Sequence, residues 1–273
     1  MTIDAWLNDT SNEFADAMLP SARLDAEIIL AHTIGHPRTW LHAHGDDPLD
    51  SRRRDIADAR AALRLERVPV AYIIGHKEFY GRRFAVSPDT LIPRPESEAL
   101  IDLLKVHIPD NATQLVDVGT GSGCLGITAA LEMPQLSVTL TDISKRALAI
   151  AEKNLNAHHA KARLVISDLL DQYPLRADVI VANLPYVDRS WTVSAETDAE
   201  PEEALYADND GLALIMRLLE QIPDHSTDNA LIILEADLRQ HQSIIDQAAA
   251  HGYVHLETRG LGVCFSRPGL VRP

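Results

Sequence analysis

Hydrophobic residues in the first 68 positions recur at the spacing of helices. Leu24, Ile28 and Ala31 lie three or four residues apart and are expected on one buried face, and Gly35 follows as a stop signal. A second helix is predicted from about residue 49 to residue 67. Its expected buried side consists of Ile56, Ala59, Leu63 and Leu65. Residues 1–68 are therefore predicted to be helical throughout.

The pattern changes at Pro69, after which short apolar runs are separated by glycine. Residues 72–75 and 78–86 are predicted to be two short strands that form a hairpin. Residues 91–96 follow as a rigid segment, because two prolines fix their own φ angles and restrict the residues before them. A further helix is expected directly after this segment.

From residue 114 onward, apolar strands alternate with amphipathic helices. The predicted strands are 114–118, 137–141, 163–167, 179–182, 230–235, 253–258 and 262–266. The predicted helices lie near 123–132, 144–157, 210–222 and 238–250. This alternation predicts an α/β fold with a doubly wound, mostly parallel sheet.

Composition and charge narrow the class of protein. The chain has 273 residues, with 25 Lys and Arg against 40 Asp and Glu, a formal net charge of −15. A protein with this net negative charge is not expected to bind the phosphates of nucleic acids. The two cysteines are far apart, so a disulfide framework is not expected. The acidic N-terminal segment is unlike a secretory signal and no apolar run spans a bilayer, so a soluble, cytoplasmic protein is expected.

A glycine-rich loop after the strand at 114–118 is the first candidate binding site. It consists of Gly119, Thr120, Gly121, Ser122 and Gly123, and a helix follows. Glycines allow a tight turn and a close approach of backbone N–H groups to a ligand at a helix N-terminus. Asp142 ends the next strand, where a carboxylate can accept both hydroxyls of a ribose. The loop indicates an adenosine-bearing ligand but does not by itself separate NAD from S-adenosylmethionine.

The strand at 179–182 ends in the tetrapeptide Asn183, Leu184, Pro185 and Tyr186. The carboxyl end of a strand in an open α/β sheet faces the ligand crevice. The side-chain oxygen of Asn183 and a main-chain carbonyl can each accept an N–H, and Tyr186 can pack against a flat group. The tetrapeptide therefore indicates recognition of a planar nitrogen group.

These motifs together resemble class I S-adenosylmethionine-dependent methyltransferases. More specifically, the chain resembles the HemK/PrmC family, the protein-(glutamine-N5) methyltransferases of peptide chain release factors. Further matching segments are 23–27, 69–75, 78–81, 91–96 and 200–212. Three segments depart from the family: Leu184 replaces the first proline of Asn-Pro-Pro-Tyr, Glu235-Ala236-Asp237 replaces Glu-Ile-Gly, and residues 262–265 lack the arginine-rich ending that the family implies.

The resemblance implies a Rossmann-like catalytic domain over residues 96–273, a hairpin linker over 69–95 and a helical substrate-docking domain over 1–68. It implies methyl transfer to the glutamine of the release-factor Gly-Gly-Gln motif, by a monomer that needs no metal and does not bind nucleic acid directly. The loop of residues 119–123 would hold the methionine end of S-adenosylmethionine and Asp142 its ribose. Further implied cofactor-binding residues are Asp168 and Leu169 near the adenine, and Asn183. Asn183, Leu184, Pro185 and Tyr186 are the implied catalytic residues, and they would bind the substrate together with Arg94.

Four other functions remain open at this stage. A glutamine methyltransferase of a ribosomal protein shares the same loop and tetrapeptide, although residues 93–96 and 200–212 favour the release-factor branch. An adenine-N6 methyltransferase of nucleic acid would need phosphate contacts that the charge disfavours. A catalytically silent S-adenosylmethionine-binding module would be separated from an enzyme by a methyl-transfer assay. An NAD oxidoreductase has the least support, because nothing near Asn183 suggests hydride transfer.

Overall fold

The structure is a computed structural model that describes residues 1–266. The chain forms two compact units, the first made of Met1–His76 with Ser194–Ala199, and the second of Lys77–Val193 with the residues from Glu200 onward. Within the described residues, no helix has the length and apolar character that crossing a membrane requires.

The first unit is helical. Its helices are α1 (Ile3–Asp16), α2 (Ala22–Ile34), α3 (Arg38–Ala43), α4 (Ser51–Leu65) and α5 (Val70–Ile74), and a short 3-10 helix covers Ala195–Ala199. Thr2 caps α1 and Asp50 caps α4 through side-chain oxygens, and Gly35 ends α2 in the left-handed conformation. Their apolar faces enclose a core that includes Trp6, Phe14, Leu30 and Leu41.

The expected buried faces of two helices were partly wrong. Leu24 in α2 and Ile56, Ala59, Leu63 and Leu65 in α4 are exposed, whereas Ala57, Ala61 and Arg64 are the buried residues of α4. Helix α4 carries an alanine face as well as a leucine and isoleucine face. The small alanines permit a close approach to neighbouring helices, and this packing decided which face was buried.

The strand predicted over residues 72–75 is also wrong, because Val70–Ile74 forms helix α5. The carbonyl of Pro69 accepts hydrogen bonds from the backbone N–H groups of Tyr72 and Ile73 at 3.0 and 3.2 Å. Gly75 then ends the turn at a φ of 75°. The proline start and the glycine stop prevailed over the β propensity of the residues between them.

Arg64 is the centre of a buried polar cluster in the first unit. Its guanidinium is 1% exposed and donates through Nε to Asp25 at 2.7 Å, and through a second nitrogen to Glu196. Asp25 is itself buried. A buried charge is tolerated when it is paired and hydrogen-bonded, so these three residues depend on one another.

The second unit contains the sheet. Its helices are α6 (Glu98–His107), α7 (Cys124–Glu132), α8 (Lys145–Ala157), α9 (Glu202–Leu205), α10 (Ala213–His225) and α11 (His241–Ala250), with a 3-10 turn at Pro95–Ser97. Its strands are β1 (His76–Phe79), which begins in the last residue of the first unit, β2 (Arg82–Ala85), β3 (Gln114–Val118), β4 (Ser137–Asp142), β5 (Ala162–Ile166), β6 (Ala177–Ala182), β7 (Ser226–Glu235), β8 (Val254–Arg259) and β9 (Gly262–Ser266).

Seven strands form one sheet in the order β5-β4-β3-β6-β7-β9-β8. Strands β3 to β7 are parallel, and β9 pairs antiparallel with β7 and with β8. The prediction of a mostly parallel, doubly wound sheet is confirmed. Side chains alternate between its faces: in β6, Val179 and Val181 pack on the face covered by α6, α7 and α8, whereas Ile180 and Ala182 pack on the face of α10 and α11.

Strands β1 and β2 form a separate two-stranded hairpin. Asn154 of α8 is almost fully buried and bonds both backbone groups of Ala85, at 2.7 and 3.0 Å, and the carbonyl of Ser122 at 2.8 Å. One amide side chain therefore holds the hairpin and the glycine loop in fixed positions. The predicted hairpin exists, but it lies within residues 76–85.

Replacing Arg64 tests the buried ion pair. In Arg64→Ala, Asp25 loses its charged partner while it stays buried, so we expect a loss of about 3–5 kcal/mol in the free energy of unfolding. Arg54→Ala is the matched control on the same helix, because Arg54 is 42% exposed and its carboxylate partners lie 3.5 and 3.9 Å away. The control should change stability by less than about 0.5 kcal/mol. Equal losses in denaturant titrations of the two variants would contradict the assignment.

Candidate functional site

The glycine loop leaves the carboxyl end of β3, and its backbone has an unusual conformation. Gly119 and Gly121 have φ angles of 70° and 54°, in the left-handed region that side chains disfavour. The backbone N–H of Thr120 donates to the carbonyl of Thr141 at 2.9 Å, which ties the loop to β4. A Cβ atom built on Gly121 would meet nothing within 4 Å. The backbone of Gly121 is therefore open to a ligand.

Asp142 shapes the loop as well as facing the cavity. Its Oδ2 accepts from the backbone N–H of Gly121, and its Oδ1 accepts from that of Ser144, both at 2.9 Å. Burial raises the pKa of this carboxyl, and the backbone hydrogen bonds oppose the rise. Each carboxylate oxygen has a further lone pair, so Asp142 can still accept hydroxyl groups from a ligand.

Asp117 of β3 stabilises the glycine loop through hydrogen bonds. Its Oδ2 accepts from the hydroxyl of Thr120 at 2.6 Å and from the backbone N–H of Gly126 at 2.9 Å. Burial raises the pKa of Asp117 to about 6, against the lowering effect of these two hydrogen bonds. Its Oδ1 has no hydrogen-bond partner among the described residues. The carboxyl therefore spans the start of the loop and the helix after it.

The tetrapeptide follows β6, and its members have different surroundings. The side-chain Nδ2 of Asn183 donates to the hydroxyl of Ser97 at 3.0 Å. Leu184 is buried, and its Cδ2 lies 2.8 Å from the position of a Cβ on Gly119. The phenol of Tyr186 donates to Oε1 of Glu235 at 3.2 Å, and burial raises the pKa of that phenol. Asn183 is therefore held by Ser97, whereas Tyr186 is held by Glu235.

Arg94 and Glu200 connect the proline-rich segment to the segment after the tetrapeptide. Glu200 is buried, pairs with the guanidinium of Arg94, and accepts the backbone N–H of Ile92 at 3.0 Å. The rigid segment over residues 91–96 is thus held by one carboxylate. This explains why two stretches far apart in the sequence belong to one site.

A single cavity of about 310 Å³ in the second unit brings most of the predicted site residues together. The predicted residues that line it are Arg94, Gly119, Thr120, Gly121, Ser122, Asp142, Asp168, Leu169, Asn183, Leu184 and Pro185. Gly123 and Tyr186 do not line it. Gly123 occupies the position before α7, and the phenol of Tyr186 bonds Glu235.

Several lining residues were not singled out from the sequence. They include Asp89, Thr90, Ser97, Ile143, Glu203, Leu214 and Arg217. Arg217 donates to the carboxylate of Asp168 at 2.8 Å. No sequence motif marks Leu214 or Arg217, because they belong to α10 and reach the cavity only through folding. Ser97 was within reach of sequence reasoning, since it directly follows the rigid segment.

The electrostatics of the cavity favour a cation. Asp89, Asp142 and Glu203 line it, and the buried carboxyls of Asp117 and Glu235 interact with the lining residues Thr120 and Asn183. The lining arginines Arg94 and Arg217 are each paired with a carboxylate. Asp117 and Glu235 are buried, and carboxylates shielded from water attract a positively charged group more strongly than exposed ones such as Glu203.

Comparison with known folds and families agrees with this geometry. Residues 95–200 match the family model of the Methyltransferase small domain, and residues 5–75 match that of the PrmC N-terminal domain. A methyltransferase from Pyrococcus furiosus is similar with a TM-score of 0.53 at 18% identity, covering 80% of this chain and 99% of its own. The T. thermophilus 16S rRNA N2 G1207 methyltransferase, solved with AdoMet and guanosine, has a TM-score of 0.52 at 17% identity, covering 70% of this chain and 49% of its own. The predicted class I methyltransferase fold is confirmed.

Relatives of higher identity cover nearly the whole chain. A release factor glutamine methyltransferase of Bordetella pertussis is 38% identical over 226 residues, which are 81% of this chain and 83% of the relative. The protein of the same name from Neisseria gonorrhoeae is 34% identical over 262 residues, 94% of this chain and 92% of the relative. The resemblance to the HemK/PrmC family is confirmed, and the chain belongs to the family of release factor glutamine methyltransferases.

Proposed function

We propose that this protein transfers a methyl group from S-adenosylmethionine to the side-chain amide nitrogen of the glutamine in the Gly-Gly-Gln motif of peptide chain release factors. The observation that carries the proposal is the position of Asn183. Asn183 lines the same cavity as the glycine loop and Asp142. A group that can accept a hydrogen bond from an amide is thus brought next to a nucleotide-type loop, which a methyl transfer between the two ligands requires.

The residues of the cavity fit S-adenosylmethionine. The open backbone at Gly121 leaves room for the methionine end, and Asp142 has lone pairs for ribose hydroxyls. Asp168 and Leu169 line the part of the cavity proposed for the adenine. The surrounding carboxylates suit a positively charged sulfonium. When bound, this cofactor supplies an electrophilic methyl group.

Methyl transfer to an amide nitrogen requires alignment of the reacting atoms more than a strong base. An amide nitrogen is a weak nucleophile, because its lone pair is delocalised into the carbonyl. Asn183 Oδ1 accepts no hydrogen bond from the described residues, so it is available to a substrate N–H. The carbonyl of Leu184 is the proposed second acceptor. Both acceptors would interact more strongly as positive charge develops on the nitrogen, which lowers the barrier.

The remaining assignments concern partners and domains. We propose that residues 1–68 dock the release factor, that residues 69–95 link them to the catalytic domain over 96–273, and that Arg94 contributes to substrate binding. We further propose a cytoplasmic monomer that does not bind nucleic acid directly, and the net charge of −15 supports the last of these assignments.

Replacing Asn183 tests the proposed reaction. Mass spectrometry of a purified release factor, incubated with the protein and S-adenosylmethionine, should show one added methyl group on the glutamine of the Gly-Gly-Gln motif. Asn183→Ala should lower the single-turnover rate by about 10²–10³-fold, because one preorganised acceptor is lost. Leu184→Pro is the control that keeps the main-chain carbonyl, and its rate should stay within about tenfold. Full activity of Asn183→Ala would show that the tetrapeptide is only a structural turn, and it would contradict the proposed reaction.

Replacing Asp142 tests the proposed cofactor site. Asp142→Ala removes the ribose acceptors and also releases Gly121, so we expect binding of S-adenosylmethionine to weaken by about 1–3 kcal/mol in calorimetry. Asp171→Ala is a matched control, since Asp171 is exposed and bonds Gln221 outside the cavity lining. The control should bind the cofactor like the wild type. Binding of NAD in place of S-adenosylmethionine would overturn the assignment.

Amide hydrogen exchange on the full chain tests the docking role. Excess release factor should slow exchange in the helices of residues 1–68, because docking excludes water from the bound surface. S-adenosylmethionine alone should slow exchange in residues 119–123 and leave residues 1–68 unchanged. Serum albumin at the same concentration serves as the control. If the release factor protects only the second unit, the docking role of residues 1–68 is wrong.

A further inference from the structure

The side-chain amide of Asn183 has two nearly isosteric ends, and its orientation decides what it offers a substrate. With Oδ1 towards the cavity it accepts hydrogen bonds, and with Nδ2 towards the cavity it donates them. A substrate NH₂ group is a donor, so only the first orientation is productive. In the structure, Nδ2 is occupied by the hydroxyl of Ser97 at 3.0 Å. Ser97 is 2% exposed and lines the same cavity.

A buried carboxylate lies behind this pair. Strands β6 and β7 are parallel, and Ala182 at the end of β6 pairs with Leu234. The next residues on these two chain segments are Asn183 and Glu235, so these two residues lie at the same edge of the sheet. Glu235 is 1% exposed. Its Oε1 accepts the phenol of Tyr186 at 3.2 Å, and its Oε2 has no hydrogen-bond partner in the described residues.

Several groups around Glu235 affect its charge state. Burial raises the pKa of this carboxyl, and the negative charge of Glu96 adds to the rise. Interactions with the side chains of Ser97, Tyr186 and Asn183 act in the opposite direction. Ser97 and Asn183, which bond each other at 3.0 Å, therefore lie close to the carboxyl of Glu235, whose Oε2 is left free by the described residues.

The numbers of hydrogen-bond donors and acceptors on Ser97, Asn183 and Glu235 determine which group donates to which. A serine hydroxyl has one proton and two lone pairs, and an ionised carboxylate only accepts. If the proton of Ser97 points to Glu235, the lone pairs of Ser97 remain for a donor. Nδ2 of Asn183 is that donor, and Oδ1 is then left for the cavity. The opposite orientation would bring Oδ1 against the lone pairs of Ser97, which is repulsive.

We propose that Ser97 is a positioning residue, oriented by Glu235, that holds the Asn183 amide with its oxygen towards the substrate nitrogen. This inference rests on the proposed function, because it specifies how the same site receives an amide. Ser97 acts through Asn183 and does not need to touch the reacting atoms.

A double-mutant cycle on the full chain tests this role. Ser97→Ala should lower the single-turnover rate of release-factor methylation by at least about tenfold, with an unchanged dissociation constant for S-adenosylmethionine. Ser97→Thr keeps the hydroxyl and should stay within about threefold of the wild type. In an Asn183→Ala background, Ser97→Ala should have less than about a twofold further effect. Additive losses, or a Ser97→Ala variant as active as the wild type, would overturn the proposal.

Glu235→Gln tests the orientation of Ser97. The substitution keeps the shape but removes the negative charge and replaces one acceptor oxygen by an NH₂ donor, so position 235 directs the Ser97 proton less strongly. We expect a lower rate in the wild-type background and little further change in the Ser97→Ala background. Glu257→Gln is the matched control, since Glu257 pairs with His107 and Arg259 and does not line the cavity. Equal losses from Glu235→Gln with and without Ser97 would contradict the proposed order.

A spectroscopic measurement keeps this inference separate from the choice of substrate. The ¹⁵N–¹H signal of the Asn183 side-chain NH₂ group can be assigned by its loss in Asn183→Ala. It should shift and exchange faster in Ser97→Ala, but not in Ser97→Thr. An unchanged signal in Ser97→Ala would overturn the inference even if release factors are methylated. The expected shift in a protein that does not methylate release factors would leave the inference standing and overturn the proposed function.

Discussion

Parallel pairing of β3 with β4 on one side and with β6 on the other is the constraint on which the whole site depends. Val118 at the end of β3 pairs with Ala182 at the end of β6, so the residues that follow these strands must meet at one edge. The glycine loop at 119–123, Asp142 and Asn183 come together there. Because β3 lies where the chain connections turn to opposite sides, the helices leave an open crevice at this edge.

Burial of acidic groups around this crevice has opposite effects on stability and on function. Asp117, Asp142 and Glu235 all have raised pKa values because burial disfavours their charged forms. Their ionisation therefore costs folding free energy near neutral pH. The same carboxylates organise the loop, hold the tetrapeptide and provide a negative environment for a cationic ligand. Sites often retain groups that a purely structural protein would replace.

The tetrapeptide shows how one short segment serves several purposes. Asn183 faces the cavity, Leu184 packs next to Gly119, and Tyr186 bonds Glu235 behind it. The leucine at position 184 departs from the usual proline of the family, and the structure gives a reason why it fits. Its side chain fills the space beside the glycine, and Pro185 still restricts its backbone to extended conformations.

The sequence by itself determined the alternation of strands and helices from residue 114 onward, the glycine loop and the tetrapeptide, because these depend on local spacing and on residue types with few conformational options. Strand β9 has the predicted bounds. Tertiary packing decided which face of α4 is buried and that Ser97 lies beside Asn183, whereas the helix at Val70–Ile74 follows from its proline start and glycine stop. Hydrophobic spacing identifies a possible face but not its partner. Residues distant in the sequence meet only when the sheet aligns their strand ends, so such contacts follow from the fold and not from local pattern.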